Sequence, residues 1–366
     1  MDRLIPIARP SIQREEREAV LRVLQSYSLA QGERVREFEG LFSDHVGTEY
    51  AVATNSGTAA LHAALCALGL REGDEVILPA ITFFSCAAMI ARCGATPVVA
   101  DVGEADYNLS SDNLAEAITP ATRAIMAVHM YGQPADMGAI CDLAGEREIP
   151  VIEDACQSHG ARYGKSRVGS MGSVGCFSFY PTKMVTTGEG GMVTTDDGGI
   201  ADHSRMFRDH GASRKYHHEF LGYNYRMTEI AAALGIEQLG KIETFIQARS
   251  DNANYLSKTL ATIDGLDPPQ VLPNRTHVYY QYVVRVAEDF PLKRDEVVVR
   301  LRDLGVESRP SYPMPIHQQP AFQGVGRSAG CPVAERILPQ MLELPVHPLL
   351  SAGDLQTIAS ALETLA

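Results

Sequence analysis

Three short segments hold residues that could do chemistry together. Lys183 closes the run Phe177-Ser178-Phe179-Tyr180-Pro181-Thr182-Lys183, and Thr186-Thr187-Gly188-Glu189-Gly190-Gly191 follows shortly after. An amine set among apolar and glycine residues departs from the usual place of lysine, which is solvent. Desolvation there is expected to lower its pKa and leave the amine nucleophilic. Asp154 ends the apolar run Val151-Ile152-Glu153-Asp154, which leads into Ala155-Cys156-Gln157. This is the C-terminal edge of an expected strand, the place where open α/β sheets receive ligands. A buried carboxylate at that edge needs a cationic partner, and a protonated pyridine nitrogen is one. The third segment, Asn55-Ser56-Gly57-Thr58-Ala59-Ala60-Leu61, follows a strand pattern and opens a helix. Its first-turn N–H groups and the Ser56 and Thr58 hydroxyls suit a phosphate, and Gly57 lets the backbone come close to it. Taken singly, each feature has a plainer reading, since Ser, Thr and Asp cap many ordinary helices. Taken together, a phosphate site, a strand-end Asp and a lysine 29 positions further on (183 − 154) supply the three contacts that pyridoxal 5′-phosphate (PLP) requires.

Those residues need a frame. Between residues 50 and 195, short apolar runs at 50–54, 75–78, 96–100, 123–128, 151–153, 174–179 and 192–195 alternate with helix-like segments such as 59–68 and 84–92. Near-continuous apolar strands separated by helices predict an α/β fold with a mostly parallel, seven-stranded sheet covered on both faces. Ser11 reads as the N-cap of a first helix carrying Val20, Val23 and Leu24. A single long helix is expected from Thr228 to about Leu260, with Ile230, Leu234, Leu239, Ile242 and Ile246 at helical spacing. Residues 264–273 are rich in Gly and Pro. Residues 277–286 then alternate, with Tyr280, Tyr282, Val284 and Val286 on one face, and 291–304 is helix-like. The expected organisation is a large domain over 1–250 and a smaller C-terminal α+β domain over 251–366, with the N-terminal segment packing on the latter.

Bulk properties exclude several classes. The 366 residues carry 45 acidic against 32 basic side chains, a formal net charge of -13. A nucleic-acid binder needs clustered Lys and Arg instead. The seven cysteines include no C-x-x-C pair, so neither a disulfide framework nor a metal site is expected. Cys66, Cys86, Cys93, Cys141 and Cys176 read as small core residues, and a reducing cytoplasm fits this usage. The leading residues, Met1-Asp2-Arg3-Leu4-Ile5-Pro6, show no apolar h-region of a secretory signal. The most apolar window, 76–91, is broken by Pro79, Thr82 and Ser85, so no membrane span is expected.

The same segments, with Pro79-Ala80-Ile81-Thr82-Phe83, His129-Met130-Tyr131-Gly132, Gly222-Tyr223-Asn224-Tyr225-Arg226-Met227 and Pro315-Ile316-His317, resemble the DegT/DnrJ/StrS family of PLP-dependent sugar aminotransferases. The resemblance runs from about Ile7 to His347 and implies the fold-type I architecture of the aspartate aminotransferase-like superfamily. It also implies roles. Lys183 would hold PLP as a Schiff base and move protons, and Asp154 would keep the pyridine nitrogen protonated. Gln157 would meet the phenolic oxygen, and Phe83 would stack on the ring. Ser56, Gly57, Thr58 and Ser178 would bind the phosphate, and Asn224 would reach the neighbouring subunit's cofactor, making a homodimer with shared sites. Arg226, Tyr312, His317 and His129 fall at positions near the sugar, although a structural role is an equally good reading for His317 and His129.

The expected reaction moves an amino group from glutamate or glutamine to a nucleotide-linked keto-sugar, such as an NDP-4-keto-6-deoxy-hexose, with PLP cycling through pyridoxamine 5′-phosphate. Within 203–226 the basic Arg205, Arg208, Arg214, Lys215 and Arg226 meet only Asp209 and Glu219, a local excess that could face a nucleotide diphosphate. Rivals are an aminotransferase acting on a keto-inositol and a PLP-dependent sugar dehydratase, whose relatives carry histidine where Lys183 stands. A nicotinamide oxidoreductase lacks its G-x-G-x-x-G fingerprint here. A non-catalytic regulator would have no use for Lys183, Asp154 and the phosphate site together.

Overall fold

Val76, Ile77 and Leu78 are wholly buried, yet they belong to two different cores. Val76 and Leu78 pack with Leu61, Leu65, Met126 and Val193, whereas Ile77 packs with Val98, Ile125, Ala127 and Val151. Successive side chains of a strand point to opposite faces. A run that is apolar at every position is therefore a strand covered on both sides.

The computed structural model describes residues 4–365, so Met1, Asp2 and Arg3 of the leading segment lie outside the described residues. Two helices, α1 (Arg14–Ser26) and α2 (Glu33–Val46), precede β1 (Tyr50–Thr54). The chain then runs through α3 (Gly57–Ala67), β2 (Glu75–Pro79), α4 (Ser85–Arg92), β3 (Thr96–Ala100), α5 (Ser111–Ala117), β4 (Thr122–Val128), α6 (Met137–Gly145) and β5 (Val151–Asp154). A hairpin of β6 (Arg162–Tyr163) and β7 (Ser166–Arg167) leads to β8 (Val174–Ser178) and β9 (Gly191–Thr195), then α7 (Gly198–Phe207). A second hairpin, β10 (Ala212–Arg214) and β11 (His217–His218), precedes α8 (Glu229–Leu239) and α9 (Ile242–Leu260). The remainder is β12 (Leu266–Asp267), β13 (Tyr282–Val286), α10 (Arg294–Asp303), β14 (Arg309–Pro310), β15 (Arg327–Ser328), α11 (Pro332–Ile337), β16 (Met341–Leu344) and α12 (Ala352–Glu363).

The main sheet has the order β1-β9-β8-β5-β4-β2-β3-β15. Its pairings from β8 through β15 are parallel, and β9 runs antiparallel to both β8 and β1. All seven expected strands are present. The eighth, β15, is two residues held against β3, with the Arg327 guanidinium on Glu75 at 2.8 and 2.9 Å. A two-residue strand carries no readable periodicity.

A second sheet, β12-β13-β16-β14, is antiparallel and packs against α9, α10 and α12 through Leu256, Leu260, Val284, Leu301, Leu342, Ile358 and Leu362. Ile5 joins this core and pairs with Gly305 and Glu307 through its backbone. Helix α9 links the two cores, since Ile242 and Phe245 pack near Phe177 and Phe179 while Ala253 to Leu260 pack on the second sheet.

Three local expectations differ from the structure. The helix from Thr228 is two helices, because Gly240 caps α8 and Lys241 opens α9. The first helix begins after Gln13, whose backbone is held by Glu16 at 2.9 Å, and not at Ser11. Tyr280 lies outside β13 because Tyr279 adopts a left-handed φ of 49° and bends the chain ahead of the strand.

Candidate active site

The C-terminal ends of β2, β4, β5 and β8 open on one side, and the first turn of α3 faces them. Ser56 caps α3 by accepting the Ala59 N–H at 3.1 Å. The N–H groups of Gly57 and Thr58, at the first two helical positions, have no place in the helical ladder. This turn is wedged against β8 and β9. A Cβ on Gly57 would stand 2.6 Å from the Ser178 Cβ, and one on Gly191 would collide with the Ser56 carbonyl. The exposed Thr58 thus lies with Ser56, Gly57 and Ser178 around the free N–H groups of this turn, a phosphate-binding arrangement.

Glu153 and Asp154 are adjacent, both buried, and differently served. Glu153 accepts the N–H groups of Gly169, Met171 and Gly172 at 2.8, 2.6 and 2.7 Å and meets His129 Nε2 at 2.9 Å. Burial alone would raise its pKa, but His129 and the backbone donors more than offset this and hold it low. Asp154 receives the Cys156 N–H at 3.1 Å and the Cys86 thiol at 3.0 Å. Among the described residues it has no ion pair. The Cys86 thiol is pushed well up, first by burial and then by the Asp154 charge, and remains a neutral donor. Asp154 is therefore a buried carboxylate with no ion pair in contact with it among the described residues, the Lys183 amine being close enough only to feel its charge.

Lys183 is partly buried at the loop after β8, with its Nζ 4.3 Å from the Tyr280 ring centroid. The expected lowering of its pKa is not what the geometry gives. Burial is the largest influence and pushes it down, yet Tyr280, Cys156 and Asp154 together raise it above the ordinary lysine value. The sequence pattern places Tyr280 on the face of a strand and not in the site. It arrives through the segment His129-Met130-Tyr131-Gly132, where Gly132 at φ 113° lets the backbone close on 278–281. The Val278 N–H donates to Gly132 at 2.9 Å and that of Gln281 to Tyr131 at 3.2 Å. The Tyr280 hydroxyl meets Thr182 at 3.0 Å.

Gln157 lies in the same group. Its Oε1 accepts the Tyr131 N–H at 3.0 Å, and its Nε2 donates to the Tyr312 hydroxyl at 3.3 Å. The Ile316 N–H donates to Ala80 at 3.0 Å, which brings the 312–317 segment beside the Ala80–Phe83 turn. Phe83 in that turn is 62% exposed, an uncovered ring at the mouth of the site. His317 pairs with Glu335 at 2.9 Å and keeps a buried Nδ1 without a partner.

Other expected substrate residues are engaged elsewhere. His129 is wholly buried, with Nδ1 accepting the Ala135 N–H at 3.0 Å and Nε2 on Glu153, so no ring nitrogen is left for a sugar. Arg226 is paired with Asp209, Arg208 with Glu39, and Arg205 with Asp202. The basic segment therefore offers two exposed cations without an ion pair among the described residues, Arg214 and Lys215. Asn224 is exposed, and its carbonyl accepts from the Asn55 side chain at 3.3 Å. Large apolar side chains nearby are bare, with Tyr216 85% and Leu221 94% exposed.

Set against known proteins, the chain matches the DegT/DnrJ/EryC1/StrS aminotransferase family over residues 10–363. It is 38% identical over 363 residues to GDP-perosamine synthase of Caulobacter vibrioides, covering 98% of this chain and 97% of that one. It is 38% identical over 334 residues to dTDP-3-amino-3,4,6-trideoxy-alpha-D-glucose transaminase of Streptomyces venezuelae, covering 91% and 87%. Among solved structures, S. venezuelae DesV in complex with a ketimine intermediate superposes with a TM-score of 0.91 at 37% identity, covering 96% of this chain and 94% of that one.

Proposed function

The chain belongs to the DegT/DnrJ/EryC1/StrS aminotransferase family, and from that premise we propose that it uses PLP to move an amino group from glutamate or glutamine to a nucleotide-linked keto-sugar. The observation that carries the reading is the contrast between Glu153, saturated by the chain, and Asp154, buried with a thiol and one N–H and, among the described residues, no ion pair. A protonated ring nitrogen supplies that partner. The glycine-closed cup at Ser56, Gly57, Thr58 and Ser178 accepts the phosphate. Phe83 offers a bare face for the ring, Gln157 Nε2 a donor for its phenolic oxygen, and Lys183 the amine that attaches it. The donor set therefore fits the group at every point.

When bound, PLP supplies a sink for the electron pair left at the donor's α-carbon and carries nitrogen from donor to acceptor. The work of the protein is positional and protonic. Asp154 holds the proton on the ring nitrogen. The Gly57 and Thr58 N–H groups and the Ser178 hydroxyl fix the phosphate end. Lys183 Nζ removes the proton from the donor's α-carbon and, in the second half, returns one to the sugar carbon that receives the amine. One amine serves both halves because the second runs the first in reverse. Tyr280 and Tyr312 close the inner wall around Lys183 and Gln157.

The names of the relatives carry different nucleotides, which supports a nucleotide-linked sugar as the acceptor class. An NDP-4-keto-6-deoxy-hexose is the acceptor we assign, with Tyr312 and His317 on the sugar side and Arg214 and Lys215 as the cations for its diphosphate. We further assign a homodimer, in which Asn224 and the bare Tyr216 and Leu221 meet the second copy. Among the described residues no helix is long and apolar enough to cross a membrane. A cytoplasmic location agrees with seven cysteines held as free thiols.

The test is the visible spectrum of the purified protein with PLP, before and after glutamate or glutamine, for wild type and Lys183→Ala. Wild type should show the absorbance of lysine-bound cofactor and lose it on donor addition. Lys183→Ala should show neither. A variant spectrum equal to that of wild type would remove Lys183 from the chemistry and the reading with it.

A further inference from the structure

Far from Lys183, at the other end of α3, two helices bring three soft donors together. His62 and Cys66 are one helical turn apart on α3 and so share a face. Cys93 caps the C-terminus of α4. Their ligand atoms all lie within 4.8 Å of one another, and the two sulfurs are 3.3 Å apart. His62 is buried, and both cysteines are partly buried. We propose that His62, Cys66 and Cys93 form a structural site for a thiophilic divalent cation, Zn²⁺ being the natural one.

The chemistry of the surroundings agrees. Two thiolates and an imidazole are a zinc donor set. The His62 Nδ1 is 3.2 Å from the Tyr225 hydroxyl, the outer partner that a ligating imidazole needs, and this leaves Nε2 for the metal. Metal binds the thiolate forms, so uptake of the cation would release the cysteine protons. The three residues supply three donors, and the fourth position of a tetrahedral ion is left to water.

Sequence spacing conceals such a site because Cys66 and Cys93 are 27 positions apart and no C-x-x-C precedes either. A cation there would tie the end of α3 to the end of α4. The opposite end of α3 forms the phosphate cup, and α4 carries Cys86, the thiol on Asp154. Through Tyr225 the site also touches the segment holding Asn224. The cation would thus brace the active-site frame without entering the reaction.

The test uses the full-length protein with its cofactor, stripped by a chelator and titrated with Zn²⁺ under a phosphine reductant. Wild type should take up one equivalent per chain. Cys66→Ser/Cys93→Ser should bind Zn²⁺ weaker by more than about 100-fold, beyond the loss expected from an outer-sphere partner. Cd²⁺ should give a thiolate charge-transfer band in the ultraviolet with wild type only. If the double variant does not fold, alkylation of wild type serves instead, where Zn²⁺ should protect Cys66 and Cys93 and leave Cys141 unprotected. No stoichiometric uptake, equal uptake by the folded variant, or alkylation unaffected by Zn²⁺ would each overturn the site. So would a Cys66–Cys93 disulfide formed with peroxide in a protein that takes up no metal, since the pair would then be a redox site.

Discussion

Replacing Asp154 with Asn separates its service to a bound cation from any service to the fold. Asp154 is 5% exposed and accepts two donors, the Cys156 N–H and the Cys86 thiol. Asn keeps an acceptor for the Cys156 N–H and the same shape, but loses the charge. In the protein without cofactor none of the described residues is ion-paired to that charge, so the variant should unfold within about 1 kcal/mol of wild type or be slightly more stable, because a buried carboxylate without an ion pair costs free energy. With cofactor the outcome reverses. Removing one partner of a buried ion pair costs about 3–5 kcal/mol, which at about 1.4 kcal/mol per decade is a factor of roughly 10² to 10⁴. The assay is single-turnover loss of the lysine-bound cofactor's visible absorbance on adding glutamate or glutamine, with thermal melts in the presence and absence of PLP. Wild type should gain more from PLP than the variant does. A variant rate within threefold of wild type, or an equal loss of stability with and without cofactor, would refute the assignment of Asp154.

Three further outcomes follow from the geometry. Gly57→Ala places a Cβ 2.6 Å from the Ser178 Cβ and 3.2 Å from its Cα, so backbone must move at about 1–3 kcal/mol, and melts together with PLP titration should show both stability and affinity falling. The control Gly40→Ala, with nothing within 4 Å, should be neutral or stabilising. Burial holds His159 and His277 down to about 3 and His347 to about 4. Their folded values lie below the unfolded value of about 6.5, so the unfolded chain takes up more protons as pH falls. Their stabilising contribution is complete above about pH 6.5 and is lost toward pH 3–4, each at up to about 1.4 kcal/mol per pH unit. Urea unfolding at pH 7, 6 and 5 should show this slope, and His277→Gln should remove one residue's share; an unchanged slope counts against it. Asn224→Ala should lose about 1.5–3 kcal/mol of cofactor binding, the value of a hydrogen bond to a charged group. Mixing it with Lys183→Ala should restore about a quarter of wild-type sites, since half the dimers are mixed and each has one intact site. No restoration would confine Asn224 to its own chain's site.

The seven long strands of the main sheet were legible because each is apolar at consecutive positions, the mark of burial on both faces. The break between α8 and α9 was not, since Gly240-Lys241 leaves the apolar spacing of Leu239 and Ile242 intact. Tyr280 shared the period-two pattern of Tyr282 and Val284, and only the left-handed turn at Tyr279 takes it out of the sheet and toward Lys183. For the same reason the direction of the Lys183 shift was misjudged. Local sequence reveals apolar neighbours, which lower an amine, but not the distant Tyr280 and Asp154, which raise it. His129, Arg208 and Arg226 had the right chemical types for a substrate, yet each is consumed by a carboxylate that only folding brings near.

What distinguishes a site residue here is the set of donors the chain leaves it, more than its type. Glu153 and Asp154 occupy consecutive positions of one strand, and the pleat sends them to opposite faces. Glu153 meets a loop that turns three N–H groups and an imidazole toward it, so its charge is spent on holding residues 169–172 under the sheet. Asp154 meets α4, whose contribution is a thiol too poor an acid to give up its proton. Of two buried carboxylates, the chain saturates one with hydrogen-bond donors and, among the described residues, leaves the other without an ion-pair partner. The Gly57 turn and Lys183 border the face of Asp154, while the opposite face, where Glu153 is fully hydrogen-bonded, is packed with Ile77, Ile125 and Val151. An exchange of the two residues, Glu153→Asp with Asp154→Glu, keeps composition and net charge. The loss of visible absorbance that donor causes in the protein with PLP should nevertheless disappear, because the shorter acid at 153 would draw back from the 169–172 N–H groups and the longer one at 154 would have to find room beside the Cys86 thiol.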